Sequence, residues 1–280
     1  METGIIDILL KGFFKYRPLM YTLKEVLDKV AKKELSPSEA EILLKLCAVD
    51  EVGCFAKLDG NRELRKGIPE IILAEGKTAD DVVEISNSMF AKNGRVIVSR
   101  CSKEQVLVLQ DAFSSEVNLE INEKARMVVI KKKDFAINLT GGKVAILTAG
   151  TSDIPVAEEA KVIAQEMGCM VYSIYDVGVA GIHRLLEPLK EVLSNDVDVI
   201  VVVAGREGAL ASVVSGLVDV PVIAVPTSNS YGFGEKGLSA LMAMLQSCSL
   251  GLAVVNIDSG VAAGAVATLI ANRAAKFRNP

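Results

Sequence analysis

The stretch VAILTAGTSDIPVAEEA, residues 144–160, decides how this chain folds. Val144 to Thr148 is a short apolar run of the kind that forms a buried strand, and a helical pattern opens after Asp153. Between them Gly150 makes a turn that carries Thr151, Ser152 and Asp153 to the mouth of the helix. Helix N-termini present unpaired backbone N–H groups and partial positive charge, so this strand-turn-helix suits a small anion such as a phosphate or carboxylate. A second reading of the same residues is simpler: Ser152 or Asp153 caps the helix and does nothing more.

The pattern repeats to the end of the chain. Apolar strands are expected at 143–148, 170–175, 198–204, 221–225 and 252–257, each followed by a helix, the last over about 259–273. Short Val/Ile runs alternating with helices indicate a parallel sheet covered on both faces, a doubly wound α/β domain. Ligands of such sheets collect beyond the carboxyl ends of the strands. Those ends bring up Gly150 to Asp153, Asp176 to Arg184, Ala204 to Leu210, Pro226 to Ser228 and Asn256 to Gly260. Asp153, Asp176, Arg184, Arg206, Glu207 and Asp258 would set charge around one crevice, and Gly205 and Gly208 would let backbone approach a ligand.

Upstream the pattern differs. Residues 1–51 read as a helical segment, with Thr22 ahead of one amphipathic stretch to about Glu34 and Ser36-Pro37-Ser38-Glu39 as a capping box for a helix to about Ala48. Residues 52–140 read as a small α+β domain. It has strands at 55–58, 70–74 and 96–99, a helix from Thr78 to Ala91, another opened by Ser102 to Gln105, and alternation from Val117 to Ile130. Residues 141–280 form the α/β domain.

Composition narrows the function classes. The net charge of −4 offers no basic face for nucleic acid, and the run Lys131-Lys132-Lys133 is expected to be a solvated strand end or loop. Five cysteines without a C-x-x-C pair argue against a disulfide framework or a structural zinc site and favour a reducing cytoplasm. Neither a signal peptide nor an apolar membrane span is expected. Residues 143–280 carry only 9 of the 31 Lys/Arg and 13 of the 35 Asp/Glu, so part of this half is expected to be covered by other subunits.

His183 is the single histidine, and a neutral-pKa histidine base must be this residue or none. No G-x-S-x-G elbow supports a serine hydrolase. Cys248 falls at the carboxyl end of the helix before the last strand, where residue physics alone makes it a small buried hydrophobe.

The C-terminal half resembles the AIR carboxylase/mutase (PurE) superfamily through GTSDIP at 150–155, the His183-Arg184 pair, the Ala204-Gly205 turn and PVIAVP at 221–226. The resemblance is closer to the LarB family of pyridinium-3,5-biscarboxylic acid mononucleotide synthases. It runs through AKLDGNRELRKGIPEIILAEGKT (56–78), YDVGVAGIHRLL (175–186), AGREGALASVVSGLVDVPVIAVPTS (204–228) and LMAMLQSCSLGLAVVNID (241–258). A second histidine that AIR carboxylases carry after the third strand is replaced by Ala209-Leu210, and Cys248 is added. Ala211 and Leu250 stand where LarB-like chains commonly have proline, and Glu235-Lys236 interrupts a loop that is usually glycine-rich.

The resemblance implies a PurE-like fold and an enzyme that adds CO2 or bicarbonate carbon to the pyridinium ring of nicotinic acid adenine dinucleotide. Such an enzyme then cleaves the phosphoanhydride to release AMP, making a precursor of the nickel-pincer cofactor. It implies Cys248 as nucleophile, because a thiolate adds reversibly to an electron-poor ring. Gly150, Thr151, Ser152 and Asp153 become the ligand turn. His183, Arg184, Gly205, Arg206 and Gly208 become substrate-binding residues, with Glu207 or Asp176 as proton acceptor or water-orienting group. Asp59, Arg62, Arg65, Glu75 and Lys77 belong to the LarB-like block and would cover the adenylate portion. No covalently bound cofactor is implied. Mg²⁺ suits a diphosphate substrate, and a homo-oligomer, an octamer as is common in PurE-like proteins, is expected. The alternatives are an AIR carboxylase or mutase of purine synthesis and a non-catalytic nucleotide-binding regulator.

Overall fold

The structure is a computed structural model that describes residues 23–41, 50–52, 56–58, 62–113 and 117–278. Thr22, Phe55, Asp59 and the continuation of the second helix toward Ala48 lie outside the described residues, as does the side chain of Arg65. The chain divides into two units, Met1–Glu70 and Ile71–Pro280.

The first unit holds α1 (Leu23–Ala31), β1 (Asp50–Val52), β2 (Ala56–Leu58) and α2 (Arg62–Lys66), with β1 and β2 antiparallel. Val26 of α1 is buried with Ala40, and Val30 and Leu35 pack against them. Between those two, the expected capping box forms: Ser36 Oγ accepts from the Glu39 N–H at 3.2 Å, and Glu39 Oε2 accepts from the Ser36 N–H at 2.9 Å. The short helix α2 was not expected, since five residues show too little periodicity to read.

The second unit begins with a four-stranded sheet of β3 (Ile71–Leu73), β4 (Arg95–Ser99), β5 (Val117–Asn122) and β6 (Met127–Lys132), in the order β3-β4-β6-β5. The helix α3 (Ala79–Asn93) crosses over between the parallel pair β3 and β4, and α4 (Lys103–Ala112) follows β4. Both helices start on capping boxes, Thr78 with Asp81 and Ser102 with Gln105. Lys131 departs from its expected solvated place. It is buried in β6, and its ammonium meets Glu166 at 2.8 Å and Glu120 at 2.9 Å, while Arg95 reaches the same Glu166 at 3.5 Å. Period-2 alternation could not show this, because the partner carboxylate lies on a helix of the next domain. Burial pulls the Lys131 ammonium down, and hydrogen bonds to Glu166 and Glu120 more than offset it, leaving its pKa raised.

The α/β domain follows. Its elements are β7 (Lys143–Thr148), α5 (Ile154–Glu166), β8 (Met170–Ile174), α6 (His183–Ser194), β9 (Val199–Ala204), α7 (Ala209–Ser215), β10 (Val222–Pro226), α8 (Leu238–Leu245), β11 (Leu252–Val254) and α9 (Gly260–Arg278). The five strands are parallel in the order β11-β10-β9-β7-β8. The doubly wound sheet is therefore as expected. The last strand is shorter than its apolar run, since an edge strand has a partner on one side only and leaves the ladder before Asn256.

Alternate residues of each strand serve opposite faces. Val144, Ile146, Val199, Val201, Val203, Ile223 and Val225 pack under α5 and α9 through Ala157, Ala160, Ala263 and Ala267. On the other face Leu147, Ile200, Val202, Val222 and Ala224 pack with Leu185, Leu189, Leu210, Val214 and Met244 of α6, α7 and α8. Each fully buried Val or Ile stabilises by about 1.5–3 kcal/mol, and these residues hold the strand ends rigid under the loops. Small residues let α5 and α9 approach closely. At Gly260 any side chain would strike the Val156 carbonyl, so this position brings the start of α9 onto α5.

Candidate active site

With this strand order, the chain leaves β7 toward one edge of the sheet and returns to β9 on the other side, and the loops after these two strands diverge. A crevice of about 360 Å³ opens there, lined by Gly150, Ser152, Asp153, Gly178, Arg184, Gly205, Arg206, Glu207 and Asn229 among others. It is the switch-point location expected for a ligand in such sheets.

Asp153 is the hub of the floor. Its carboxylate is buried; Oδ2 accepts from the Gly150 N–H at 2.9 Å, and Oδ1 accepts from the Thr227 hydroxyl at 2.7 Å. Asn229 Nδ2 donates to the Ser152 carbonyl at 2.7 Å and reaches Asp153 Oδ1 at 3.4 Å. Asp153 thus shapes the 150–153 turn and ties it to the loop after β10. The cap reading holds in part, but the partner is its own turn. Gly205 is required beside it, because a Cβ there would stand 2.8 Å from Thr227 Oγ1.

Cationic groups stand on the rim. Arg184 Nη1 pairs with Asp176 Oδ2 at 2.8 Å, both half exposed, and Asp176 adopts a left-handed φ of 60° with its N–H donated to Thr148 Oγ1. Arg206, also left-handed with φ 54°, lies 4.0 Å over the Tyr231 ring and donates to its hydroxyl at 2.5 Å. Non-glycine residues in that region are uncommon and cluster at ligand sites. Glu207 is exposed at the crevice mouth.

Other expected residues stand apart. Thr151, His183 and Gly208 do not line the crevice, and His183 opens α6 exposed to solvent. Asp258 turns its carboxylate to the Ser228 N–H at 2.8 Å. Cys248 is exposed and lies in the turn between α8 and β11. Its neighbours Ser247 and Ser249 bond to Ser212 in α7, and the Val222 N–H donates to Gly251 at the amino edge of the sheet. The five residues of β10, at about 3.3 Å each, put roughly 13–16 Å between that edge and the crevice. Within one chain the thiol and the crevice do not meet.

In the first unit Arg62 pairs with Glu70 at 2.9 Å. In the second, Lys77 donates to the Leu73 carbonyl at 2.7 Å and Glu75 pairs with Arg100 at 3.2 Å. Residue reasoning missed Arg100, Glu159, Asn229 and Tyr231. Asn229 and Tyr231 follow directly on the quoted Pro226-Thr227-Ser228 strand end and were within reach of that signal. Arg100 and Glu159 had none. Glu159 is buried, which pushes its carboxyl up to about 7 despite the nearby Arg100. Among the described residues no cluster of three or more His, Cys, Asp or Glu could hold a metal ion, and no helix is long and apolar enough to cross a membrane.

Residues 49–133 match the model of the LarB/PurE-like N-terminal domain, and residues 143–278 match that of AIR carboxylase. An uncharacterized protein of Methanocaldococcus jannaschii is 44% identical over 253 residues, 89% of this chain and 96% of that protein. A probable N5-carboxyaminoimidazole ribonucleotide mutase of Methanothermobacter thermautotrophicus is 33% identical over 133 residues, 46% of this chain and 37% of that protein. The N5-carboxyaminoimidazole ribonucleotide mutase of Thermotoga maritima is 29% identical over 133 residues, 46% of this chain and 74% of that protein.

Proposed function

Because the chain belongs to the LarB family, related to the PurE-type AIR carboxylases and mutases, we propose that it is a pyridinium-3,5-biscarboxylic acid mononucleotide synthase. It carboxylates nicotinic acid adenine dinucleotide and releases AMP. One observation carries this reading: a LarB-type N-terminal domain is joined to an AIR carboxylase domain whose 241–258 block holds an exposed thiol, Cys248.

The thiolate of Cys248 forms a bond to C4 of the pyridinium ring, giving a dihydropyridine whose C5 is nucleophilic. C5 then bonds to CO2, a base removes the C5 proton, and the C4–S bond breaks to restore the aromatic ring and free the thiolate. Water attack on the phosphoanhydride releases AMP. Glu207 is the better proton acceptor of the two carboxylates considered, since Asp176 is engaged by Arg184. Arg184 and Arg206 hold phosphate or carboxylate oxygens. A Mg²⁺ ion would enter with the diphosphate and be held by its oxygens, as hydrated Mg²⁺ usually is.

Cys248 lies on the far edge of its own sheet, so in this reading it serves the crevice of another copy of the chain. The exposed Met242, Leu245 and Leu250 around it suit a covered apolar surface. The assembly proposed is a homo-oligomer, and the resemblance to PurE-like proteins makes it an octamer. Light scattering should show the large assembly; a stable monomer near 29.8 kDa would sink this part. Mixed oligomers of Cys248→Ser and Glu207→Gln subunits, each inactive alone, should regain part of the activity.

Incubation with the dinucleotide and bicarbonate should yield AMP and a carboxylated mononucleotide by mass spectrometry. A second reading, an aminoimidazole ribonucleotide carboxylase or mutase, draws on the likeness to the two mutases. Turnover of that nucleotide in the same assay would replace the first reading. Binding without any turnover would point to a regulator.

A further inference from the structure

Arg100 directly follows β4 of the α+β domain in a left-handed conformation, φ 55°, that a non-glycine residue adopts at a cost. Its backbone is held there by Arg126, whose guanidinium donates to the carbonyls of Arg100 at 3.2 Å and Cys101 at 2.9 Å. The effect is to aim the Arg100 side chain at the α/β domain. Nη2 donates to the Asp258 carbonyl at 2.7 Å, and Nε lies 3.7 Å from Glu159 Oε1. Nη1 takes Glu75 on the outer side.

Asp258 is left-handed as well, φ 54°, and its two ends point in different directions. Its carbonyl receives Arg100, while its carboxylate accepts from the Ser228 N–H at 2.8 Å and its N–H donates to the Pro226 carbonyl at 2.9 Å. Ser228 follows Thr227, whose fully buried hydroxyl donates to Asp153, and Asp153 holds the Gly150 N–H. An unbroken path of hydrogen bonds and peptide units therefore joins the α+β domain to the anion turn.

We infer that Arg100 is a positioning residue of the crevice: it anchors the 256–260 loop, and through Ser228 and Thr227 it fixes Asp153 and the 150–153 turn. The inference deepens the function proposed above and rests on the crevice being its reaction site. The groups that face Arg100 divide its work. Asp258 uses two hydrogen-bonding ends and transmits position. Glu159, on α5 beside the start of α9, sets a buried carboxyl oxygen 3.7 Å from Nε on the inner side of the guanidinium. Glu75 is more than half exposed and adds little. The physical consequence is that docking of the α+β domain and the shape of the anion turn are one equilibrium. An α/β domain without Arg100 keeps its sheet but holds Asp153 less tightly.

The test uses the full-length protein with Arg100→Gln and Arg100→Lys. Hydrogen exchange followed by mass spectrometry should show faster exchange in peptides covering 150–153 and 227–229 for Arg100→Gln, with β7 and β9 unchanged. Turnover of the dinucleotide, as kcat/KM, should fall about 10-fold to 100-fold, the scale expected when a site shifts by about 1 Å. Arg100→Lys, which keeps the cation and one donor, should recover part of both. Unchanged exchange in the two loops of a folded Arg100→Gln protein would overturn the inference, and lost turnover with unchanged exchange would make Arg100 a direct ligand contact instead. A wild type that turns over no dinucleotide would defeat the functional reading, while the exchange data would still decide the relay. Should Arg100→Gln fail to fold, the Arg100→Lys exchange pattern decides.

Discussion

Asp153→Asn isolates what a buried carboxylate contributes at the floor of the crevice. The two sharp contacts are the Gly150 N–H at 2.9 Å and the Thr227 hydroxyl at 2.7 Å, both donated to the charged group. Hydrogen bonds to a charged acceptor contribute about 1.5–3 kcal/mol against about 0.5–1.5 for neutral pairs, so losing the charge weakens each by roughly 1 kcal/mol. The asparagine must also turn its Nδ2 toward one of the two donors. Only Thr227 can adapt, because a hydroxyl both donates and accepts whereas the Gly150 N–H only donates. The amide therefore settles with Oδ1 on Gly150 and Nδ2 on Thr227, and the net loss is about 2 kcal/mol. For a domain of this size that lowers Tm by roughly 4–8 °C. Turnover should fall further than stability does, because the Thr151–Ser152 backbone that would receive an anion is ordered by the bond from Gly150 to this carboxylate. Differential scanning calorimetry and the dinucleotide assay read the two effects separately. A Tm within 1 °C of wild type would refute the hub reasoning, and full activity at a lowered Tm would reduce Asp153 to a structural cap.

Three further outcomes are expected. Cys248→Ser should abolish carboxylation at nearly unchanged Tm, since serine has nearly the volume of cysteine, and wild type trapped with substrate should carry a pyridinium-derived adduct on the peptide containing Cys248; full activity of the variant would remove the thiol from the mechanism. Glu159 is raised by burial from 4.5 to about 7, so the folded state binds its proton more tightly than the unfolded chain does, and stability declines as pH rises between those values; the Tm of Glu159→Gln relative to wild type should therefore increase from pH 5 to pH 8, and a pH-independent difference would show that the carboxyl is not held neutral. Lys236 has φ 50° in an exposed loop, so Lys236→Gly should stabilise by up to about 1 kcal/mol in urea unfolding, and no gain would mean that the loop adopts another conformation in solution.

Much of the α/β domain was legible because its information is local. Strand β7 spans the residues its apolar run indicates, the capping box expected at Ser36 forms, and the helix expected to open at Ser102 starts on a box with Gln105, since a hydroxyl and a carboxylate or amide three residues apart need only one helical turn to meet. Glu235 and Lys236 are similarly instructive: where the resemblance to LarB-like chains implies a glycine-rich loop, both residues are held at positive φ. Lys131 was misread because its neighbours in sequence are solvated lysines, whereas its environment is set by Glu166, 35 residues away.

The amino-acid sequence by itself determined most elements of the α/β domain, its parallel sheet and the set of residues at the carboxyl ends of its strands, because periodicity and turn chemistry act over a few residues. Tertiary structure alone decided which of those residues share a site. The strand order β8-β7-β9-β10 brings Thr227 to Asp153 across 74 residues, and the packing of the four-stranded sheet against the α/β domain brings Arg100 to Asp258 across 158. It also sets Cys248 on the opposite edge of the sheet from the crevice. The physical reason is that pairing between distant segments depends on how buried faces fit together in three dimensions, and no spacing along the chain records that fit.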